Sequence, residues 1–527
     1  MRSDIGGTGV GRVCVPVCVR RAEELGPSVV RAAEFADVIE LRLDCLEEGQ
    51  LEIARARLAA LLGATPQPFI ITYRSREQGG SASAGLDERV SFWRGLPEVL
   101  RGGPGRERAF VDLELDLLES EGGAALSELF RHFRVICSHH DFQETPADLE
   151  KIFDRMARTS ADVLKVAALA RDITDCVAVL RLCERGRGAG REVIAVSMGE
   201  AGVMTRVLGP AFGSLLTYGS LDAAQATAPG QIGARELRRL YRVGRLNART
   251  LVTGLVGSPV GHSLSPHMHN AAFAALGLDA VYLPLEVADF AGFVRRMADP
   301  RTRELEWNLR GLSVTAPHKQ AVMRHLDRVA PNAARIGAVN TVVFGEGGGL
   351  EGFNTDAEAS VAPLAGLVEL RGARVAVIGA GGAARALLWA LGERRARATV
   401  FARDAERGRR LAEEFGVGSA PLEGAHFGDF DVVANATPLG TRGTREAETP
   451  AAAGQLRGAR LAYDLVYNPA ETRFLREARE AGCRTAGGLA MLVAQAEEQF
   501  RLWTGQSPPP GVVRAAAERK LEEVARG

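Results

Sequence analysis

The chain has 527 residues, and its 65 basic side chains are matched by 65 acidic ones. That balance excludes a global field favouring nucleic acid or an anionic membrane, and the length calls for two or three domains. Hydrophobic residues at 46% and charged residues at 25% suit a soluble globular protein, and no stretch approaches the apolar length of a membrane span. The opening MRSDIGGTGVGR has no apolar core and does not read as a secretory signal. Seven cysteines (Cys14, Cys18, Cys45, Cys137, Cys176, Cys183 and Cys483) form no Cys-x-x-Cys pair. Neither a zinc cage nor a disulfide framework is expected, and reduced thiols in a cytoplasmic protein are the default.

Short apolar runs rich in β-branched residues recur through the first part of the chain. They are VCVPVCV (13–19), DVIELRL (37–43), PFIITY (68–73), AFVDLEL (109–115), RVICSH (134–139), DVLKVAA (162–168), EVIAVSM (192–198) and SLLTYG (214–219). Helical patterns such as DLEKIFDRMAR and DCVAVLRLCE lie between them, and RGRGAGR (185–191) reads as a solvated loop. Strands alternating with helices predict a parallel (β/α)8 TIM barrel. An open doubly wound sheet is the competing topology, because periodicity does not distinguish closure from openness.

The charged residues inside these strands carry the chemistry. Glu40 and Arg42 share one parity, as do Asp112 and Glu114, while Arg74 follows the third strand and Lys165 interrupts the sixth. All lie near strand C-terminal ends, where barrel active sites form. Burial disfavours a charged ammonium, so an inward lysine there is a candidate nucleophile for imine chemistry. The run ICSHHDF (136–142) sets two histidines back to back. Alternation sends them to opposite faces, so only one can reach a common site.

The segments ELRLD, TYRS followed by QGG, SHHDF, DVLKVA, and SMGEAGVMTRVLGPAFGSLLTYG running on to TAPGQI together resemble the type I 3-dehydroquinate dehydratases, over roughly residues 12–242. The resemblance implies that Lys165 forms an imine with the ketone of 3-dehydroquinate. It also implies that His140, immediately before Asp-Phe, moves the proton, with His139 left to packing. Arg206 matches the partner of the substrate carboxylate. Glu40, Arg42, Arg74, Thr227 and Gln231 match other substrate contacts, and Asp112 stands where it would orient the imidazole. Gln78 and Thr227 depart from the Glu and Ser of some relatives while keeping the ability to hydrogen-bond.

A short segment, YRVGRLNART (241–250), separates this half from a second α/β pattern. There RVAVIGAGGAARALLWAL (374–391) runs an apolar strand straight into Gly379, Ala380, Gly381, Gly382 and Ala383 and then a helix. Glycines let the backbone approach a pyrophosphate at the helix N-terminus. The next strand, ATVFAR (398–403), ends in Arg403 instead of the acid that would bind a free ribose hydroxyl. Arg403 with Arg407 therefore points to the 2′-phosphate of NADP(H), although Asp404 would repel it from the same side.

The motifs GSPVGHSLSPHMHN, GLSVTAPHK, GAVNT, GFNTD, NATPLGT, DLVYNP and GLAMLVAQAEEQF resemble shikimate dehydrogenase over residues 250–527. The resemblance implies that Ser263 and Ser265 hold the substrate carboxylate and that Lys319 and Asp356 handle the hydroxyl proton during hydride transfer. Thr315, Asn340, Tyr467 and Gln495 match substrate contacts, and Asn435, Thr437 and Gly488 match the cofactor side. Ser313 stands where many members carry Asn.

These resemblances imply an α/β chain of three parts: a barrel over 1–245, a substrate-binding domain over 250–360 completed by 486–527, and a Rossmann NADP domain over 361–485. They imply a bifunctional enzyme of the shikimate pathway, converting 3-dehydroquinate to 3-dehydroshikimate and then, with NADPH, to shikimate. No metal is called for. The expected partners are small molecules, without nucleic acid or membrane, and a homo-oligomer is compatible. An NAD-dependent quinate/shikimate oxidase, or a regulatory protein made of inactive modules, are the competing readings; the four candidate catalytic residues weigh against the latter.

Overall fold

The computed structural model describes residues 11–81, 84–222, 226–345 and 347–526; the first ten residues of the N-terminal stretch discussed above lie outside them. The chain divides into two compact units, residues 1–251 with 283–308, and residues 252–282 with 309–527.

In the first unit eight strands alternate with helices: β1 (Val13–Val17), β2 (Val38–Arg42), β3 (Phe69–Thr72), β4 (Ala109–Glu114), β5 (Arg134–Asp141), β6 (Val163–Leu169), β7 (Glu192–Met198) and β8 (Thr217–Tyr218). They form one parallel sheet in the order β7-β6-β5-β4-β3-β2-β1-β8. A single parallel bridge, Val193 to Ser214, joins the two ends, so the barrel expected from the sequence is present and the open sheet is not. At this seam Leu215 N donates to Val193 O at 2.7 Å. The Ser214 hydroxyl accepts from Ala195 N at 3.2 Å and donates to Leu216 O at 2.9 Å.

Alternation sorts the side chains. Cys14, Val38, Ile70, Phe110, Ile136, Val163 and Ile194 belong to one buried apolar cluster, as expected for a filled barrel interior. Two residues further along the same strands, with the same parity, come Glu40, Thr72, Asp112, Ser138 and Lys165, also buried. The polar layer therefore rests on an apolar floor at the C-terminal mouth.

Two expectations are corrected here. RGRGAGR is not wholly loop: Arg185 and Arg187 lie in the last turn of the helix Asp175–Gly188, where cations oppose the negative helix end. Arg185 pairs with Asp154. Nor are all the cysteines reduced: Cys18 and Cys45 form a disulfide, while Cys14, Cys137, Cys176, Cys183 and Cys483 are free and buried. The pairing was hidden because it depends on β1 and β2 lying side by side, which spacing in sequence does not reveal.

The second module begins with a mixed sheet of β9 (Leu251–Gly257), β10 (Ala280–Glu286), β11 (Leu309–Val314), β12 (Arg328–Val329), β13 (Thr341–Phe344) and β14 (Leu350–Phe353), in the order β10-β9-β11-β13-β14-β12. A third sheet follows, of β15 (Arg374–Ile378), β16 (Arg397–Ala402), β17 (Gly418–Pro421), β18 (Val432–Asn435), β19 (Leu461–Asp464) and β20 (Arg484–Ala486), ordered β17-β16-β15-β18-β19-β20. Its pairings are all parallel, and the order reverses between β15 and β18. That is the doubly wound dinucleotide-binding order, with its ligand crevice at the switch point. Val375 and Val377 pack on one face, Ala376 and Ile378 on the other, so the strand is covered on both sides, as parallel sheets require.

Candidate functional site

Parity on β5 separates the two histidines. Ile136 and Ser138 face the barrel interior with His140, which lines a cavity at its mouth. His139 faces the other way, where the charges of Asp141 and Arg155 act on it. The same cavity is lined by Lys165, Glu40, Arg42, Arg74, Arg206, Thr227 and Gln231. The structure thus brings together the eight barrel residues matched from the sequence to catalysis or to substrate contact.

Lys165 Nζ donates to Asp112 Oδ2 at 2.8 Å and lies 3.6 Å from Glu40. Asp112 Oδ2 also accepts from Arg74 Nη2 at 2.6 Å. Burial alone would raise the Asp112 carboxyl, but Arg74 and then Lys165 hold it well below the usual carboxylate range. Asp112 therefore grips the lysine and does not orient the imidazole, as the sequence had suggested. Arg74 takes that position, with Nη1 at 3.1 Å from His140 Nδ1 and 2.9 Å from Ser138 Oγ. Parity put Asp112 on the right face without saying which neighbour it would reach. Burial, and next the charges of Arg74 and Lys165, push His140 well below its ordinary value. Its surroundings favour the neutral imidazole, the form that can accept a proton.

Arg42 forms a fork with Asp44 at 2.9 and 2.7 Å, which fixes its guanidinium at the rim. Arg206 is in the opposite situation. It is buried, its Nε has no hydrogen-bond partner, and Nη2 donates only to the Pro229 carbonyl at 2.9 Å. Burial pulls it down to about 10. A dry, unsatisfied guanidinium is suited to a carboxylate brought by a ligand. Gln231 Oε1 accepts from Thr227 N at 2.7 Å and lies 3.3 Å from its hydroxyl, tying the two expected contacts together.

Four neighbours had been given no role in the site. Gln78 Oε1 accepts from His140 N at 2.8 Å, so the residue before the double glycine braces the histidine. A Cβ at Gly79 would meet the Phe142 ring at 2.1 Å, and one at Gly80 the Arg74 carbonyl at 2.2 Å, which explains the QGG run. Tyr218 places its ring 4.5 Å from Lys165 Nζ, with its buried hydroxyl unpartnered. Its signal in the sequence was only its inward parity on the eighth strand.

In the second unit Lys319 Nζ donates to Asp356 Oδ2. The Lys319 carbonyl accepts from Val339 N at 2.8 Å, which keeps the lysine beside Asn340. Asn340 Nδ2 donates to Thr355 Oγ1 at 2.9 Å, and its Oδ1 accepts from Thr355 N at 2.8 Å. Ser263 Oγ accepts from Ser265 N at 3.2 Å, so the two serines are clasped at the start of the helix Ser265–Ala275. Burial raises the Tyr467 phenol, against a hydrogen bond with Ser263 that places the tyrosine beside the serine pair. Thr315 continues from β11, its N donating to Val256 O at 2.9 Å. Gln495 is buried on the helix Leu489–Thr504, its Nε2 donating to Leu492 O at 2.8 Å. Gly488 caps that helix; a Cβ there would meet Leu465 O at 2.3 Å.

At the switch point Gly379 takes φ 122°, and a Cβ would meet Ala436 O at 2.9 Å. Ala380 and Gly381 follow, and Gly382 and Ala383 open the helix Gly382–Glu393. A Cβ on Gly382 would lie 3.1 Å from Lys319 Cδ, so the glycine turn and the candidate catalytic lysine are adjacent. Asn435 is fully buried and its amide is spent within the protein. Its Nδ2 donates to Asp464 Oδ1 and Leu439 O, and its Oδ1 accepts from the Thr437 N and hydroxyl. It shapes the turn carrying Thr437, where a direct cofactor contact had been expected. Asp404 caps the helix Ala405–Phe415 by accepting from Arg407 N at 3.0 Å; that bond turns the acid toward the helix end. Glu406 is taken by Arg409 and Arg410. Among the described residues, exposed Arg403 and Arg407 are left without an ion-pair partner. These features fit a phosphorylated dinucleotide. Among the described residues, no group of three or more His, Cys, Asp or Glu could hold a metal, and no helix is long and apolar enough to cross a membrane.

A polar barrel mouth on one unit and a lysine–aspartate pair beside a dinucleotide turn on the other define a two-site α/β enzyme. Family models agree with that division: type I 3-dehydroquinase matches residues 13–247, the shikimate dehydrogenase substrate binding domain 255–342, and the shikimate 5′-dehydrogenase C-terminal domain 488–518. The bifunctional 3-dehydroquinate dehydratase/shikimate dehydrogenase, chloroplastic, of Arabidopsis thaliana is 34% identical over 519 residues, 94% of this chain and 82% of that one. The NADP(+) shikimate dehydrogenase of Oleidesulfovibrio alaskensis is 46% identical over 270 residues, 50% of this chain and 92% of that one. A solved shikimate 5-dehydrogenase of Thermus thermophilus, in complex with NADP(H) and shikimate, is 41% identical, covering 51% of this chain and 99% of its own at a TM-score of 0.45. The chain belongs to the bifunctional 3-dehydroquinate dehydratase/shikimate dehydrogenase family.

Proposed function

We propose that the two sites catalyse consecutive steps, dehydration of 3-dehydroquinate to 3-dehydroshikimate and NADPH-dependent reduction of that product to shikimate. The observation that carries this reading is the barrel cavity, where one lysine and one neutral imidazole share a pocket with an unsatisfied guanidinium. Lys165 Nζ attacks the ketone and expels water to form an imine, which acidifies the neighbouring C–H. His140 takes that proton and returns it to the departing hydroxyl, which leaves as water; hydrolysis of the imine frees Lys165. Arg206 holds the carboxylate, and Asp112 with Glu40 fixes the lysine nitrogen.

When bound, NADPH supplies a hydride to the second site. The residues holding it are Gly379 to Ala383 and Thr437, with Arg403 and Arg407 on the 2′-phosphate. Ser263 and Ser265 hold the substrate carboxylate, and Thr315, Asn340, Tyr467 and Gln495 orient the ring. Lys319 and Asp356 hold a proton at the oxygen being reduced. A three-part division at 1–245, 250–360 with 486–527, and 361–485 goes with this reading, supported by the three separate sheets. So does a cytoplasmic setting, supported by the five free thiols; the Cys18–Cys45 bridge would then be open to reduction.

Separate variants test the two assignments. Lys165→Ala should end borohydride trapping and dehydration while leaving reduction of added 3-dehydroshikimate intact. Lys319→Ala should do the reverse, by roughly 10²–10⁴-fold. A mixture of the two should restore shikimate formation from 3-dehydroquinate. Retained dehydration in Lys165→Ala, or a folded Lys165→Ala that has lost reduction, would defeat the reading.

A further inference from the structure

One buried hydrogen-bond chain in the second unit is not used by any step above. Tyr282 OH donates to Ser313 Oγ at 2.8 Å, and Ser313 Oγ donates to Gln499 Oε1 at 2.7 Å. Gln499 Nε2 gives one hydrogen to Asn340 O at 3.2 Å and the other to Thr341 Oγ1 at 3.1 Å. Thr341 Oγ1 in turn donates to Asn340 Oδ1 at 2.8 Å. All five of these side chains are buried.

The proton directions are not interchangeable. Thr355 N is a backbone donor aimed at Asn340 Oδ1, so that atom is the oxygen and the opposite atom the nitrogen. Asn340 Oδ1 then holds two donors, the Thr355 amide and the Thr341 hydroxyl. Its Nδ2 spends one hydrogen on Thr355 Oγ1, which leaves one N–H for a ligand. Thr341 offers its single hydrogen to Asn340 Oδ1 while its oxygen accepts from Gln499 Nε2, so Gln499 holds the Thr341 hydroxyl in the position that reaches Asn340. Gln499 is in turn held with its nitrogen toward the Asn340 carbonyl, which can only accept, and so with its oxygen toward the Ser313 hydroxyl.

We propose that Gln499 is a positioning residue of the reductase site. Acting through Thr341, it fixes the Asn340 amide with its free N–H presented to the substrate, and Ser313 holds Gln499 in that orientation. This rests on the assignment of Asn340 to the substrate made above. It also accounts for Ser313: a short hydroxyl leaves room for the Gln499 amide, which an Asn side chain at 313 would enter. Gln499 lies one helical turn beyond Gln495, so one helix supplies both an expected substrate contact and the brace of another.

The test uses the full chain, whose dehydratase activity reports on folding of the rest of the molecule. Gln499→Leu removes the amide at similar size. The expected result is a rise of about tenfold in KM for 3-dehydroshikimate, the loss of about one hydrogen bond. The expected kcat stays within about threefold, with KM for NADPH and dehydration unchanged. Ser313→Asn combined with Gln499→Ala should recover most of the loss, because the longer Asn amide reaches the space vacated at 499. If Gln499→Leu fails to fold, Ser313→Ala replaces it; it loosens Gln499 without removing it, and a smaller rise in the same KM is expected. Asn340→Ala is run alongside. If it raises KM for 3-dehydroshikimate and neither Gln499→Leu nor Ser313→Ala does, the role of Gln499 is refuted. A parallel change in KM for NADPH would also refute it, by showing a general loosening. If Asn340→Ala leaves KM unchanged, the substrate assignment itself falls.

Discussion

Arg206→Met should make the ligand-free barrel more stable and its substrate binding worse. The guanidinium is 1% exposed, holds a single hydrogen bond and leaves its Nε unsatisfied. Burial pulls it down to about 10, a penalty of about 3 kcal/mol against the charged form. Methionine keeps much of the length and packing without the charge, and replacing a buried ion by an apolar side chain commonly stabilises. The unfolding transition of the barrel should rise by about 6–12 °C, at roughly 2–4 °C per kcal/mol for a unit of this size. The carboxylate of 3-dehydroquinate would lose a charge-assisted pair worth about 1.5–3 kcal/mol, so KM should increase by about 10- to 100-fold. Differential scanning calorimetry without substrate, together with steady-state dehydration followed by enone absorbance, measures both quantities. A lower melting temperature with an unchanged KM would refute the reasoning, because Arg206 would then be a structural residue satisfied within the protein.

At the cofactor end, Arg403→Ala should raise KM for NADPH by about 10- to 100-fold and leave NADH nearly unchanged, through loss of one charged contact; equal losses with both dinucleotides would remove Arg403 from the 2′-phosphate. Acid should destabilise the second unit through His269, which burial pushes down to about 3. The folded state keeps this imidazole neutral while the unfolded chain protonates it near 6.5, so its contribution is present above that pH and is lost as pH falls toward 3. The slope is about 1.4 kcal/mol per pH unit. Denaturant melts at pH 7 and pH 5 should show it, and His269→Phe, which can keep the stack on Tyr282 at 4.4 Å, should remove it.

Much of this was legible in the sequence because it follows from alternation. Inward parity put Glu40, Asp112, His140 and Lys165 on one face of their strands, and the doubled histidine of ICSHHDF was separable on that ground alone. The glycine turn and the arginine ending the next strand were legible in the same way, since both act through local backbone geometry. Contacts made across the fold were not. Asp112 on β4 reaches Lys165 on β6, two strands away, and only barrel curvature brings them to 2.8 Å. Cys18 meets Cys45 because two strand ends are neighbours. Ser313 and Gln499 are 186 positions apart, and no periodicity links a strand residue to a helix residue at that separation. Asn435 shows the converse error, where a motif position was right and its partner was the turn itself.

The seam between β7 and β8 gives the barrel an uneven stiffness. β6, which carries Lys165, is laddered on both sides over Val163–Ala168, and β5 pairs with β4 as far as Ser138 and with β6 from Ile136 through His140 to Asp141. β7 and β8 meet at one bridge and through the Ser214 hydroxyl. Arg206 lies in the connection between them, and Thr227 and Gln231 follow β8. Local opening costs least where few backbone bonds are broken, so opening at this seam is expected to cost less than opening the β5–β6 ladder. The groups that would take hold of the substrate can part there to admit it, while the reacting pair stays on a rigid frame.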